Sequence, residues 1–314
     1  MNAVGRISAE DTGIYTDEQR DAWSRIVDFI HGQGASAGIQ LAHAGRKASV
    51  FREWGPDAGT RPVDAGGWDT VAPSAVAFDG YDEPGALDGA GIHAIVADFA
   101  RAARRSVDAG FDVLEIHAAH GYLIDQFFWS GLNDRDDRWG GSTIRERARF
   151  GAEVVKAVRE GVGPDMALIL RLSQWKSHDF AAKNAHDPAE LEAWLTPLAE
   201  AGVDVFHCSQ RRFWEPEFEG SDLNFAGWTK KLMDLPTITV GSVGLDGEFI
   251  AAFGGAGSKP ASLDGLIDRL ERDEFDLVAV GRALLADPHW VEKIRDGRLD
   301  ELKDFERSAM ATLS

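Results

Sequence analysis

The stretch that decides the fold covers residues 112–122 and reads Asp112-Val113-Leu114-Glu115-Ile116-His117-Ala118-Ala119-His120-Gly121-Tyr122. Its first half is a short apolar run, which is typical of a buried strand. Its second half presents two histidines and a tyrosine directly after that strand. Barrel enzymes carry their chemistry at the carboxyl ends of the barrel strands. The stretch therefore predicts a barrel strand that ends at a site made by His117, His120 and Tyr122.

Helices and strands alternate along the rest of the chain. The hydrophobic pattern predicts helices over residues 16–34, 92–109, 143–160, 188–201, 225–233 and 262–272. It predicts six strands, over residues 36–41, 112–116, 167–171, 203–207, 237–240 and 275–280. Such alternation indicates a parallel sheet with right-handed crossovers.

Polar and glycine residues cluster after the predicted strands, among them Gln40, Arg171 and Gly281. This one-sided placement favours a barrel of the TIM (β/α)8 type over an open doubly wound sheet. Because six strands cannot close an eight-stranded barrel, the sequence predicts an α/β barrel that is N-terminally incomplete. We expect a single domain over residues 1–314, with long ordered loops at about 50–90 and 210–224.

Composition narrows the classes of function. The chain has 52 acidic and 33 basic residues and a formal net charge of −19. This charge repels phosphate backbones and anionic membranes, so we predict no nucleic-acid or membrane partner. The single cysteine, Cys208, excludes an intrachain disulfide and an all-cysteine iron–sulfur cluster, and we predict that it is buried. Neither a signal peptide nor an apolar stretch of about 18 residues is present, which favours a cytoplasmic protein.

Five motifs keep their order along almost the whole chain. They are residues 39–48, residues 117–122, residues 133–142, Arg171 at a strand end, and residues 280–288. Together they resemble the Old Yellow Enzyme family of FMN-dependent NAD(P)H:flavin oxidoreductases, and most closely its bacterial NADPH-dehydrogenase-like branch. The resemblance implies an eight-stranded α/β barrel that binds FMN at the carboxyl ends of its strands.

The resemblance also implies an activity and a set of catalytic residues. Family members take a hydride from NADPH or NADH and reduce the C=C bond of an α,β-unsaturated carbonyl compound. His117 and His120 would donate hydrogen bonds to the substrate carbonyl oxygen, where enolate charge develops. Tyr122 would protonate the α-carbon, since a phenol with a pKa of about 10 keeps its proton at neutral pH.

The resemblance assigns four residues to FMN. Gln40 would meet the pyrimidine edge of the flavin, because an amide offers both a donor and an acceptor. Arg171 would lie beside flavin N1 and the C2 oxygen. Gly281 and Arg282 would hold the phosphate, the glycine by allowing close approach of the backbone and the arginine through its charged fork.

Other interpretations of these residues remain open. The two histidines could be structural or could bind a metal, but zinc needs a third protein ligand, and we predict no metal site. Tyr122 could simply line a wall, and Arg171 could form a structural ion pair. We interpret His43, Arg46 and Lys47 as a solvated basic patch.

The first strand, the first helix and most of the second strand of the family have no counterpart in this sequence. We expect either a misassigned start or a truncated gene, which in-frame coding sequence or a stop codon upstream would distinguish. The predicted substrate is a small enone, enal or quinone-like molecule. The alternative is a truncated, non-catalytic barrel remnant that binds a ligand or partner without turnover. The sequence leaves open the choice between NADH and NADPH, and whether the protein forms a homo-oligomer.

Overall fold

The computed structural model describes residues 2–52, 55–247, 251–252 and 254–311. Residues 53 and 54, which belong to the predicted loop at 50–90, lie outside the described part of the chain. Two compact units can be distinguished, residues 1–206 and residues 207–314. The single FMN-binding domain expected over residues 1–314 stays a prediction.

The first unit alternates strands with helices. Its helices are α1 (Asp17–Gly32), α2 (Gly89–Asp108), α3 (Leu123–Phe128), α4 (Ile144–Arg147), α5 (Arg149–Val162) and α6 (Pro188–Glu200). Its strands are β1 (Gly38–Leu41), β2 (Val71–Ala72), β3 (Gly85–Ala86), β4 (Val113–Ala118), β5 (Ala167–Ser173) and β6 (Val205–Ser209), whose last three residues belong to the second unit.

The second unit continues the alternation. It contains α7 (Phe225–Met233), β7 (Thr237–Val240), α8 (Asp264–Glu271), β8 (Leu277–Val278), α9 (Arg282–Ala286) and α10 (Trp290–Arg295). Strands β7 and β8 pair in parallel, with Ile238 opposite Leu277. Every one of the six predicted strands is therefore present, which confirms the predicted α/β class. A closed barrel of this type needs eight such strands. Strands β2 and β3 form a separate two-stranded sheet, so the strands of the described residues do not complete a barrel.

The register of β1, β4 and β5 explains why the polar residues meet. These strands pair in parallel, with Gln40 opposite Glu115 and His117 opposite Arg171. Successive side chains of a strand point to opposite faces, so these four residues share one face. The other face carries apolar side chains, among them the buried Leu41, Leu114, Ile116, Leu168 and Leu170. Each buried leucine or isoleucine stabilises the fold by roughly 1.5–3 kcal/mol. The apolar face therefore fixes which side presents the polar groups.

The helix boundaries follow from local capping. Thr16 and Gln19 form a capping box at the start of α1, and Asp187 caps α6 in front of Pro188. The helix predicted over residues 143–160 is divided at Ala148 into α4 and α5. Ala148 keeps helical dihedral angles, so the division interrupts the hydrogen-bond pattern at a single residue.

The predicted loop at 50–90 contains one element that the sequence does not signal. Strands β2 and β3 pair in parallel, with Val71 opposite Gly85. Strands of two residues are too short to show a hydrophobic period.

Among the described residues, no helix is both long and apolar enough to cross a membrane.

Candidate active site

The three predicted catalytic residues meet where β4 leads into α3. The centroid of the His117 ring lies 5.2 Å from that of His120 and 5.2 Å from that of Tyr122. The His120 ring packs against Trp175, with centroids 4.7 Å apart. In the described part of the chain, no set of three or more histidine, cysteine or acidic residues could hold a metal ion. The arrangement is a cluster of hydrogen-bonding rings.

A strained turn aims these rings. His120 and Gly121 both adopt left-handed backbone conformations, with φ of 61° and 77°. Such a conformation costs a residue other than glycine roughly 1–2 kcal/mol. The backbone N–H of His120 donates to Ser173 Oγ at 2.9 Å, which fixes the strained residue to the end of β5. The turn therefore holds the imidazole of His120 beside that of His117.

Burial and neighbouring cations keep His120 neutral. Burial holds the pKa of His120 well below its ordinary value, and the neighbouring basic groups of His117, Arg171, Lys47 and Lys176 lower it further. At neutral pH the His120 imidazole therefore carries one N–H, which is the form needed to donate a single hydrogen bond without a net charge.

Gln40, Glu115 and Arg171 extend the site along the polar face of the sheet. Gln40 Nε2 donates to Glu115 Oε1 at 2.5 Å. Burial lowers the pKa of Arg171, and the carboxylate of Glu115 opposes that effect. The Nε of Arg171 is buried and has no hydrogen-bond partner among the described residues. A buried donor of this kind costs about 1–3 kcal/mol unless an acceptor reaches it.

A cavity of about 420 Å³ opens beside Gln40. Its lining includes Gln40, His117 and Tyr122, together with Arg6 and Tyr15 from the N-terminal segment. The volume lies within the range of small-molecule and cofactor sites. The amide of Gln40, the unpartnered donor of Arg171 and this cavity together fit a flavin, which is flat and carries several acceptors along one edge.

The prediction that His43, Arg46 and Lys47 form a solvated basic patch is wrong, because His43 and Arg46 are only 1% and 4% exposed. Arg46 Nη1 donates to the backbone oxygens of Val76 and Ala77, so the loop at 50–90 covers it. Lys47 Nζ donates to the backbone oxygen of His120 at 3.2 Å and lies 4.4 Å from the centroid of the Tyr122 ring. Lys47 is thus a member of the site that the sequence did not reveal.

Glu115 and Trp175 also escaped prediction. The alternation of β4 was a usable signal for Glu115, because Glu115 and His117 are two residues apart and share a face. No comparable signal exists for Trp175, since it follows β5 in an irregular segment.

The remaining predicted residues lie in the second unit, residues 207–314. Gly281 directly precedes α9, and a Cβ added there would meet no atom within 4 Å. Arg282 Nη2 donates to the backbone oxygen of Gly247 at 2.8 Å, and Nη1 donates to Ser258 Oγ at 3.3 Å. Their role in phosphate binding stays a prediction. Cys208 is fully buried, as predicted, and burial raises its pKa to about 12.

Stability is expected to fall on acidification because two buried histidines stay neutral. Burial lowers the pKa of His43 to about 3 and that of His120 well below its ordinary value. The unfolded chain binds protons below about pH 6.5 that the folded chain does not, so the free energy of unfolding drops as the pH falls. Urea unfolding at pH 6.5 and pH 5.0 should show His43→Asn losing about 1.5 kcal/mol less than the parent protein.

An exposed histidine provides the control for this effect. His186→Gln should lose as much stability between the two pH values as the parent protein, since His186 is exposed. An equal pH dependence in His43→Asn and in the parent protein would contradict a neutral, buried His43.

A comparison with known proteins shows which family the chain resembles. Residues 1–301 match the model of the NADH:flavin oxidoreductase / NADH oxidase family. An NADPH dehydrogenase of Listeria monocytogenes serotype 4b (strain CLIP80459) is 37% identical over 306 residues, which cover 93% of this chain and 76% of the relative. An NADPH dehydrogenase of Bacillus subtilis (strain 168) is 33% identical over 292 residues, covering 92% and 75%.

Solved structures give the same result. Morphinone reductase superposes with a TM-score of 0.70 at 29% identity, covering 94% of this chain and 75% of the other. The structure of morphinone reductase in complex with tetrahydroNAD superposes with a TM-score of 0.72 and covers 96% and 76%. The likeness confirms the predicted TIM-type α/β fold, and the family confirms FMN and NADH or NADPH as cofactors. The chain therefore belongs to the NADH:flavin oxidoreductase / NADH oxidase family, as an FMN-dependent NAD(P)H oxidoreductase of the Old Yellow Enzyme type.

Proposed function

We propose that this protein is an ene-reductase, which reduces the C=C bond of α,β-unsaturated carbonyl compounds with a hydride from NADPH or NADH. The observation that carries the proposal is the meeting of His117, His120 and Tyr122 on the polar side of β4, with ring centroids 5.2 Å apart. Two imidazole donors and one phenol suit a substrate that develops negative charge on an oxygen and needs a proton on a carbon.

Gln40 and Arg171 are the residues of the first unit that would hold the flavin. The buried Nε of Arg171 would donate to an acceptor on its pyrimidine ring, and the amide of Gln40 offers both a donor and an acceptor. Gly281 and Arg282 of the second unit would bind its phosphate. When bound, FMN supplies the hydride carrier between the nicotinamide and the substrate.

His117 and His120 would bind the substrate carbonyl oxygen. Each imidazole has an N–H to donate, and both rings are held by the strand end and by the turn that follows it. A donor fixed where enolate charge develops stabilises the transition state more than the ground state, by roughly 3–4 kcal/mol per donor if it acts as the donors of an oxyanion hole do.

Tyr122 would deliver the proton. Its phenol neighbours the ring of His117, and Lys47 Nζ lies 4.4 Å from the centroid of its ring. A nearby ammonium stabilises the phenolate that remains after the proton has moved to the α-carbon. The proposed substrates are small enones, enals and quinone-like molecules.

The test is the visible spectrum of the purified chain, recorded alone, with added FMN, and then with NADPH and an enone such as 2-cyclohexenone. We expect a flavin band that bleaches with NADPH and recovers with the enone while the C=C bond is reduced. Retained flavin that NADPH does not bleach, or that the enone does not reoxidise, would contradict the proposal. Absence of retained flavin would favour a non-catalytic barrel remnant.

A further inference from the structure

We propose that the buried ion pair of Asp125 and Lys176 positions the hydrogen-bond donors of the active site, by fixing the left-handed turn at His120 and Gly121. The inference rests on the proposed function for the role of the donors, and on geometry alone for the role of the pair. Neither residue would touch the substrate, so both are positioning residues.

The turn is held at all four of its backbone polar groups by side chains. The N–H of His120 donates to Ser173 Oγ at 2.9 Å, and the N–H of Gly121 donates to Asp125 Oδ2 at 2.6 Å. The backbone oxygen of His120 accepts from Lys47 Nζ, and that of Gly121 accepts from Gln126 Nε2 at 2.8 Å. Two successive left-handed residues persist only where their surroundings fix them.

Asp125 is the central acceptor of this arrangement. Its Oδ2 accepts from the N–H of Gly121, while its Oδ1 accepts from Lys176 Nζ at 2.6 Å and from Asn184 Nδ2 at 2.9 Å. Both Asp125 and Lys176 are fully buried. Burial lowers the pKa of Lys176, and the charge of Asp125 opposes that effect.

Lys176 and Asn184 connect the turn to a second segment of the first unit. Lys176 and Asp179 form an isolated backbone bridge, with N–O distances of 3.0 and 3.1 Å in the two directions. The N–H of Asn184 donates to Gln174 Oε1 at 2.9 Å. Asp125 therefore ties residues 120–121 to the segment 173–184, which also carries Trp175 against the His120 ring.

Stability alone does not account for this pair. Replacing a buried ion pair with apolar residues of similar size is often neutral or stabilising. Asp125 differs from a simple ion pair because one of its oxygens is used by the N–H of Gly121. An asparagine has a single amide oxygen, so next to Lys176 it would turn its NH₂ group toward either the ammonium or the N–H of Gly121. Asp125→Asn should therefore release the turn.

The test measures hydrogen exchange and ligand binding in parallel. In Asp125→Asn we expect exchange of the amides in residues 119–125 to accelerate at least 10-fold. We also expect the Kd of 4-hydroxybenzaldehyde, whose phenolate mimics an enolate, to rise at least 10-fold with FMN retained. The matched control is Glu274→Gln, which removes the charge of the buried Glu274 from its ion pairs with Arg269 and Arg272 in the second unit and should alter neither reading.

Two double variants that lack both charges separate a positioning role from a role in stability. They also provide the test if Asp125→Asn does not fold. Asp125→Asn/Lys176→Met keeps an acceptor for Gly121, whereas Asp125→Leu/Lys176→Met has none. Faster exchange and weaker phenol binding in the second variant only would support the proposal. Equal readings in the two, or losses in Glu274→Gln as large as in Asp125→Asn, would overturn it. If the parent protein binds no phenol, the proposed function fails, while the exchange reading still decides the positioning role.

Discussion

Replacing His117 with alanine is expected to lower kcat/KM for an enone by about 10²–10³-fold while FMN stays bound. His117 ends the polar face of β4, and its ring contacts those of His120 and Tyr122. Its removal leaves one imidazole donor for the carbonyl oxygen. The Kd of 4-hydroxybenzaldehyde, followed through the flavin spectrum, should rise with the loss of activity, because phenolate and enolate oxygens use the same donors.

Two observations would distinguish this role from general damage. The flavin content and the rate of flavin reduction by NADPH should stay near those of the parent protein, since neither needs the carbonyl donor. An exposed control, His186→Ala, should alter nothing. Unchanged phenol binding in His117→Ala would refute the role assigned to His117.

The strands and the first residues of the site could be predicted because their signals are local. The apolar run at 112–116 marks β4, and the histidines that follow it mark its carboxyl end. Parallel pairing then brings Arg171 opposite His117 without any further information. The predicted cofactor, the residues assigned to it and the predicted activity came from the family motifs and their order along the chain.

Contacts between distant segments explain what could not be predicted. Arg46 is buried because backbone carbonyl groups about 30 residues later in the chain accept hydrogen bonds from its guanidinium. Asp125 and Lys176 are 51 residues apart, and neither belongs to a motif that signals a buried pair. The left-handed backbone of His120 is only weakly signalled, since a positive φ is uncommon for any residue other than glycine, although histidine is among the enriched residues. These features depend on tertiary structure that hydrophobic periodicity does not encode.

Tyr122→Phe is expected to slow reduction of the C=C bond by about 10²–10⁴-fold, the usual contribution of a general acid, while flavin reduction by NADPH keeps its rate. The substitution removes one hydroxyl and preserves the ring that packs against His117 and lies near Lys47 Nζ. Stopped-flow measurement of the two half-reactions separates the effects, because only reoxidation by the enone requires a proton on the α-carbon.

A comparison of two electron acceptors, a quinone and an enone, provides the internal control for Tyr122→Phe. A quinone takes its protons on oxygen, which exchanges protons readily with water, so its reduction should depend much less on Tyr122 than that of an enone. The ratio of the quinone rate to the enone rate should therefore rise as enone reduction falls. Phenol binding should persist in Tyr122→Phe, since the donors of His117 and His120 remain. Equal slowing of both half-reactions, or of both acceptors, would show that Tyr122 shapes the wall of the cavity and does not donate the proton.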